Sequence, residues 1–346
     1  MMKLFASTRS DAETPQAAEC EDNLGLSGTR EPGLWGIVLA GGEGERVKAL
    51  SEKLTGYPCP KQYCTILGDR SMIQQTLARA EMVIPPEQIL VVAGKGHRKE
   101  VSDQLANRFR GTILFQPQNR ETAPGILLPL IYIAQCDPQA VVVVLPSDHF
   151  ILEEARFMAH VRRAKRLVDD ARDFCILLGI DSESPETGYG WIEPFGEAGW
   201  DGLFWVKGFH EKPDRLTAQQ LYRARCLWNT LVLLARAETL LQMYQRYLPN
   251  LYDHFQRIAP VLGTVKEQDT LEEAYARMSA VSISHGILQR NPPNLRVLRV
   301  TGVLWSDWGS ATRIRQTLER IGRLQELTYR LARRGHDPDQ VLGEVA

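Results

Sequence analysis

Net charge is nearly absent from this chain: 41 Lys and Arg stand against 42 Asp and Glu in 346 residues. That balance excludes the broad basic footprint of a non-specific nucleic-acid binder, so any anion site has to be local. Long apolar runs are missing too. The longest, GILLPLIYIA, is far short of a membrane span and contains Pro129. The N-terminus, MMKLFASTRSDAETPQ, has no apolar stretch of signal-peptide length. A cytoplasmic protein without membrane attachment is the expectation. Cysteine is sparse and scattered. Cys20, Cys59, Cys64, Cys136, Cys175 and Cys226 form no CxxC pair, and Cys59 with Cys64 lacks the second half of a zinc site. Free thiols are expected rather than a disulfide framework. Internal repeats and low-complexity blocks are absent as well.

What remains is a patterned chain long enough for a sizeable core. Residues 1–33 are polar and without periodicity, which reads as a disordered tail. From Leu34 onward, short apolar runs without alternation recur: LWGIVLA, QILVVAG, TILFQP, AVVVVLP and FCILLGI. Such runs suit strands buried on both faces. Between them lie helical patterns, SMIQQTLARAEMV and FMAHVRRAKRLVDDA. The fold class expected is therefore α/β, a doubly wound and mostly parallel sheet. After Ile180 the stretches TGYGWIEP, LFWVKGFHEKP and LRVLRV predict an antiparallel β extension. One domain is expected over 34–312 and a C-terminal helical tail over 313–346. Gly335 and Pro338 stand where that helix would stop. Its apolar face is available for a homodimer.

The first apolar run breaks into Gly41, Gly42 and Gly44, followed by Arg46 and then Lys61. No Gly-Lys-Thr follows, so this is not a Walker loop, and Val47 stands where a dinucleotide fingerprint needs its third glycine. The loop leaves the carboxyl end of a strand, where open α/β sheets bind ligands. Glycines let backbone N–H groups approach an anion, and Arg and Lys add donors. A polyphosphate cradle is one reading. A plain strand-to-helix turn with two solvated cations is the other.

Seven motifs in order, the first of them in two parts, add to this reading. LAGGEGER is followed by PKQ (Pro60-Lys61-Gln62), then PQNRETAP (Pro117–Pro124), LPSDHFI (Leu145–Ile151), PETGYGWI (Pro185–Ile192), FHEKPD (Phe209–Asp214), LWNT (Leu227–Thr230) and WSDWGS (Trp305–Ser310). Together they resemble the sugar-1-phosphate nucleotidyltransferases, and most of all their mannose-1-phosphate guanylyltransferase group. The resemblance covers about residues 35–312. It implies the nucleotide-diphospho-sugar transferase type of α/β fold. It also implies a reaction in which a sugar-1-phosphate oxygen attacks the α-phosphorus of a nucleoside triphosphate and pyrophosphate leaves.

Site residues follow from the same resemblance. Leu39, Ala40, Gly41, Gly42, Gly44, Arg46, Lys61, Arg120, Thr122, Ala123 and Pro124 are implied on the nucleotide side. Gly190, Glu193, Glu211, Lys212 and Asn229 are implied on the sugar-phosphate side. Arg46, Lys61 and Asp148 are the implied catalytic groups, with Asp148 and Asp307 as ligands of Mg²⁺ or Mn²⁺. Read without the resemblance, Asp148 is better taken as the cap of a following helix. His149 is expected to be a packed structural residue. GTP and mannose-1-phosphate are the implied substrates. The alternatives are another base or sugar, or a non-catalytic nucleotide-sugar-binding regulatory paralogue. A glycosyltransferase is disfavoured, because PSDHF supplies no D-x-D. Departures gather on the sugar side: Leu231 replaces a glycine and Ser284 an acid, while Glu121 stands where an amide is usual. The C-terminal stretch is too short for the cupin-like isomerase domain of long members, so transferase activity alone is expected.

Overall fold

The run AVVVVLP explains how the sheet is built. Successive residues of a strand point to opposite faces. In a computed structural model, which describes residues 33–105 and 109–343, Val141, Val143 and Leu145 join one apolar layer. Val142 and Val144 join the layer on the other face. The expected tail 1–33, apart from Gly33, lies outside the described residues, as does Cys20.

Each of the five short apolar runs expected as strands is one. They are β1 (Leu34–Ala40), β2 (Ile89–Gly94), β3 (Thr112–Gln116), β4 (Val141–Pro146) and, after a short β5 (Phe150–Ile151), β6 (Cys175–Asp181). The chain continues through β7 (Gly190–Glu197), β8 (Leu203–Glu211), β9 (Leu227–Arg236), β10 (Leu295–Val300) and β11 (Trp305–Ser306). Among the described residues, nine of these form one sheet in the order β3-β2-β1-β4-β9-β6-β10-β8-β7. Helices cover both faces, as a doubly wound α/β fold requires. The run β3-β2-β1-β4 is parallel throughout. β9 then runs antiparallel to both β4 and β6 and sits at the centre of the sheet. In the sequence it is visible only as the LWNT motif. β7 and β8 form the expected antiparallel extension. LRVLRV, grouped with that extension, is antiparallel to β8 but parallel to β6 on its other side.

The longest apolar run lies in the helix Thr122–Cys136, buried on nearly every side against β1 and its neighbours. No described helix is long and apolar enough to cross a membrane. Cys59, Cys64, Cys175 and Cys226 are buried free thiols, and burial pushes Cys64 and Cys175 up to about 12.

The C-terminal stretch differs from its expectation. The single helix expected in the C-terminal tail is three: Ala311–Arg320, Leu324–Arg333 and Pro338–Gly343. Gly322, at φ 70°, breaks the first from the second, and Pro338 opens the third rather than ending its predecessor. The expected boundary after residue 312 falls inside the first of these helices. Ile314, Leu318, Leu327 and Leu331 are fully buried in the same layer as Val38 and Val143. Burying such side chains contributes roughly 1.5–3 kcal/mol each. The apolar face foreseen for a dimer is thus used within the chain.

Candidate active site

The glycine loop leaves the carboxyl end of β1 and is tied down from two directions. Gln62 Nε2 donates to the Ala40 carbonyl at 3.0 Å and to the Gly42 carbonyl at 2.7 Å, and the Tyr63 hydroxyl donates to Ala40 at 3.2 Å. The Ser147 hydroxyl, following β4, donates to the Leu39 carbonyl at 2.6 Å. Gly44 has φ 64°, and a Cβ there would lie 2.9 Å from the Lys61 backbone nitrogen. A glycine is needed both for the left-handed turn and for the close approach of the Pro60-Lys61-Gln62 segment. The motif gives Gln62 no role of its own; the structure makes it the pin of the loop.

Lys61 is 4 % exposed, and a buried ammonium is costly unless every proton finds an acceptor. Three are present: Asp148 Oδ2 at 2.8 Å, the Asp307 carbonyl at 2.5 Å and the Trp308 carbonyl at 3.3 Å. Burial by itself would raise the Asp148 pKa. That is the largest single effect, but the Lys61 ammonium, His149 and hydrogen bonds together outweigh it, so the carboxyl is held below its ordinary value. The two-stranded ribbon β5–β11, pairing Ser306 with Phe150, brings Asp307 beside Asp148. Asp307 is gripped in turn by Arg313, whose Nη1 lies 3.0 and 3.1 Å from its two carboxylate oxygens. Arg313 Nη2 donates to Glu186 at 2.8 Å, and its guanidinium stands 4.2 Å over the Tyr189 ring. Neither Arg313 nor Glu186 is singled out by the sequence. Arg46 points outward with its side chain 62 % exposed, 3.8 Å from Asp307 Oδ2.

The PQNRETAP segment forms a second wall. Arg120 Nε donates to the Tyr275 carbonyl, Ala123 N to the Val281 carbonyl, and Thr122 Oγ1 accepts from Ile283 N. Pro124 is buried in the first turn of the helix that follows. Glu121 precedes that helix at φ 70°, ψ −172°, backbone space that is essentially glycine's, with its side chain in solvent. The same bonds bring Ser284, buried two residues after Ser282, close behind this wall.

On the sugar-phosphate side, a Cβ on Gly190 would lie 2.9 Å from Glu211 Oε2 and 3.3 Å from the Asn229 Cβ. These three predicted residues therefore converge. Lys212 Nζ lies 3.4 Å from Glu211 Oε1, on a backbone turned to φ 44°. Glu193 is paired elsewhere, with Lys207 at 2.6 Å. Leu231 has φ 59°, which explains the glycine of the family pattern. The left-handed conformation costs an L-residue roughly 1–2 kcal/mol. Leu231→Gly is expected to leave stability within about 1 kcal/mol, strain relief offsetting lost packing. Leu233→Gly, fully buried on the same strand, is expected to cost more than about 3 kcal/mol. Urea unfolding of both variants checks the contrast.

Trp228 and Trp305 are each 7 % exposed, and His149 packs edge-on to Trp305 at 5.2 Å. His149 is therefore the packed residue expected. Burial holds it below its ordinary value of 6.5, against the pull of Asp148. An unfolded chain then binds the proton better, so stability is full above 6.5 and falls as pH drops below it. His149→Gln is expected to shrink that fall. His160, lowered by burial in the same direction, keeps it from vanishing. Urea midpoints at about pH 7 and about pH 5.5 measure the effect; an equal fall in both proteins would rule it out.

Two carboxylates are expected from the sequence to share a divalent ion. Mg²⁺ commonly takes one or two carboxylates together with substrate phosphates. Asp148, partly exposed, suits that role through Oδ1, its Oδ2 being held by Lys61. The carboxylate of Asp307 does not suit it in this arrangement, since both oxygens face the Arg313 guanidinium. Among the described residues, no three His, Cys, Asp or Glu side chains converge on one point.

A family model described as nucleotidyl transferase matches residues 35–321. Mannose-1-phosphate guanylyltransferase of Escherichia coli (strain K12) is 32% identical over 290 residues, covering 80% of this chain and 58% of that protein. The xanthan biosynthesis protein XanB of Xanthomonas campestris pv. campestris (strain B100) is 32% identical over 292 residues, covering 83% and 60%. A crystal structure from Thermus thermophilus, described as a mannose-1-phosphate geranyltransferase, superposes with a TM-score of 0.71 at 25% identity. It covers 81% of this chain and 78% of that one. The chain spans 58–60% of the length of these two curated relatives.

Proposed function

The chain belongs to the nucleotidyl transferase family, and on that premise we infer that it transfers a guanylyl group from GTP to a sugar-1-phosphate. A phosphate oxygen of the sugar-1-phosphate forms a bond to the α-phosphorus of GTP. The bond from that phosphorus to the bridging oxygen breaks, and pyrophosphate carries away the electron pair. Chemistry of this kind rests on positioning and charge neutralisation. One observation carries the reading: Lys61 is held by three acceptors at the mouth of the glycine loop, beside an outward-pointing Arg46. A solvated lysine on an ordinary turn would not be built in this way.

Each group then has a task. Loop backbone and Arg46 bind the triphosphate, and Lys61 offsets charge that develops as pyrophosphate departs. Gly190, Glu211 and Asn229 border the sugar, and Lys212 meets its phosphate. When bound, Mg²⁺ or Mn²⁺ would neutralise phosphate charge, with Asp148 as its protein ligand. The two named curated relatives, a mannose-1-phosphate guanylyltransferase and XanB, support a mannose-type substrate class. Leu231, at the edge of the sugar side, supports a relaxed sugar preference; Ser284, expected there from the sequence, lies behind the nucleotide wall instead and does not bear on it.

The test is pyrophosphate release with GTP, ATP, UTP, CTP and dTTP, each against mannose-1-phosphate and glucose-1-phosphate. GTP is expected to be favoured. The two sugars are expected to differ by less than about 100-fold in kcat/KM, because Glu193, expected at the sugar, is taken up by Lys207, and a pocket with one acceptor fewer discriminates less. Preference for UTP or dTTP would overturn the guanylyl assignment, and strict mannose selectivity would overturn the relaxed pocket.

A further inference from the structure

Asp307 is engaged on every side. Oδ1 accepts from Arg313 Nη1 at 3.0 Å and from Gly309 N at 2.8 Å; Oδ2 accepts from Arg313 Nη1 at 3.1 Å. Its backbone carbonyl receives Lys61. The next residue, Trp308, is fully buried at φ 43°, a conformation that a non-glycine residue keeps only under restraint. The restraints are visible. Trp308 N donates to Ser306 Oγ at 3.2 Å, its ring stacks on Phe150 at 4.5 Å, and the Asp307 carboxylate closes the turn on Gly309.

Arg313 is built in as firmly. Its side chain is 16 % exposed, in the first turn of a helix capped by Ser310. Glu186 and the Tyr189 ring hold the other half of its guanidinium. A metal ion on the Asp307 carboxylate would stand against this fixed cation, or would have to strip it from Asp307.

We propose that Asp307 is a positioning residue rather than a metal ligand in this chain: Arg313 clamps it so that its backbone carbonyl fixes Lys61. A divalent ion arriving with the triphosphate is then held from the protein side by Asp148 without it. The metal half rests on the nucleotidyl-transfer reading. The clamp does not, and the two are tested separately.

Mn²⁺ binding in the presence of GTP is followed by electron paramagnetic resonance. Asp148→Asn is expected to weaken Mn²⁺ by more than about tenfold, and Asp307→Asn by less than about twofold. Separately, acylation of Lys61 by acetic anhydride is followed by mass spectrometry in the nucleotide-free protein. Arg313→Gln is expected to raise the Lys61 labelling rate about tenfold, and Arg313→Lys to restore part of its protection. Loss of Mn²⁺ in Asp307→Asn equal to that in Asp148→Asn would overturn the proposal. A tightening of Mn²⁺ in Arg313→Gln would support it, since removing the cation frees the Asp307 carboxylate. Unchanged Lys61 labelling in Arg313→Gln would overturn the clamp. If the natural protein retains no Mn²⁺ with GTP, the transfer reading fails, and labelling alone decides the clamp.

Discussion

Lys61→Met is expected to lower kcat/KM by more than about 1,000-fold, a loss of about 4 kcal/mol of transition-state stabilisation. Methionine fills much of the same space but cannot donate. The Asp148 carboxylate and the carbonyls of Asp307 and Trp308 lose their shared donor at once. The effect on stability should be smaller, about 1–2 kcal/mol, because the Asp148 side chain is 36 % exposed and water screens what is left behind. Lys61→Arg should not rescue: a planar fork does not fit a site made for one compact ammonium. Pyrophosphate release and urea unfolding, measured on the same samples, separate the two effects. Turnover of Lys61→Met within about tenfold of the natural protein would remove Lys61 from the chemistry.

The second large effect concerns stability. Trp308→Ala is expected to cost about 4 kcal/mol, the range for emptying a fully buried aromatic site. The stack on Phe150, nearly coplanar at 9°, is lost with it. The backbone adds a signature that packing alone would not produce. Alanine at φ 43° stays strained, whereas glycine does not. Trp308→Gly should therefore be no less stable than Trp308→Ala, against the usual order of the two residues. Urea midpoints decide it. A loss below about 2 kcal/mol, or glycine clearly worse than alanine, would refute the account.

The parts of this fold legible in the sequence are those that leave a local mark. A strand buried on both faces needs apolar residues at every position, and AVVVVLP and FCILLGI say so directly. Direction leaves no such mark. LRVLRV is parallel on one side and antiparallel on the other, a property of its neighbours rather than of its residues. β9 is hidden because Asn229 and Thr230 interrupt its apolar run, and both are buried for reasons a linear pattern does not carry. Thr230 Oγ1 donates to the Leu178 carbonyl, and Asn229 Oδ1 accepts from Leu231 N. The C-terminal helices share one continuous apolar periodicity, so the break at Gly322 is not apparent from spacing.

The site divides in the same way. Short motifs pick out Lys61, Asp148 and Asp307, and the structure brings them together. Arg313 escapes, because its link to Glu186 spans 127 positions and no spacing rule connects them. Glu193 fits the pattern, but the cross-strand Lys207 takes it up.

The placement of β9 bears on how the chain comes together in time. Its residues, Leu227–Arg236, are made after β4 and β6 yet lie between them. Until they emerge from the ribosome, β4 and β6 each present a bare edge that would pair with any passing strand. The contacts that close the sheet also span long stretches of chain, which slows folding. A nascent or truncated chain ending before Leu227 also lacks β10 and is thus three unjoined pieces, the run β3-β2-β1-β4, β6 alone and the hairpin β7–β8, the first with the valines of β4 along its exposed flank. The natural protein passes through that vulnerable interval each time it is synthesised, and dependence on a holdase chaperone should be concentrated there.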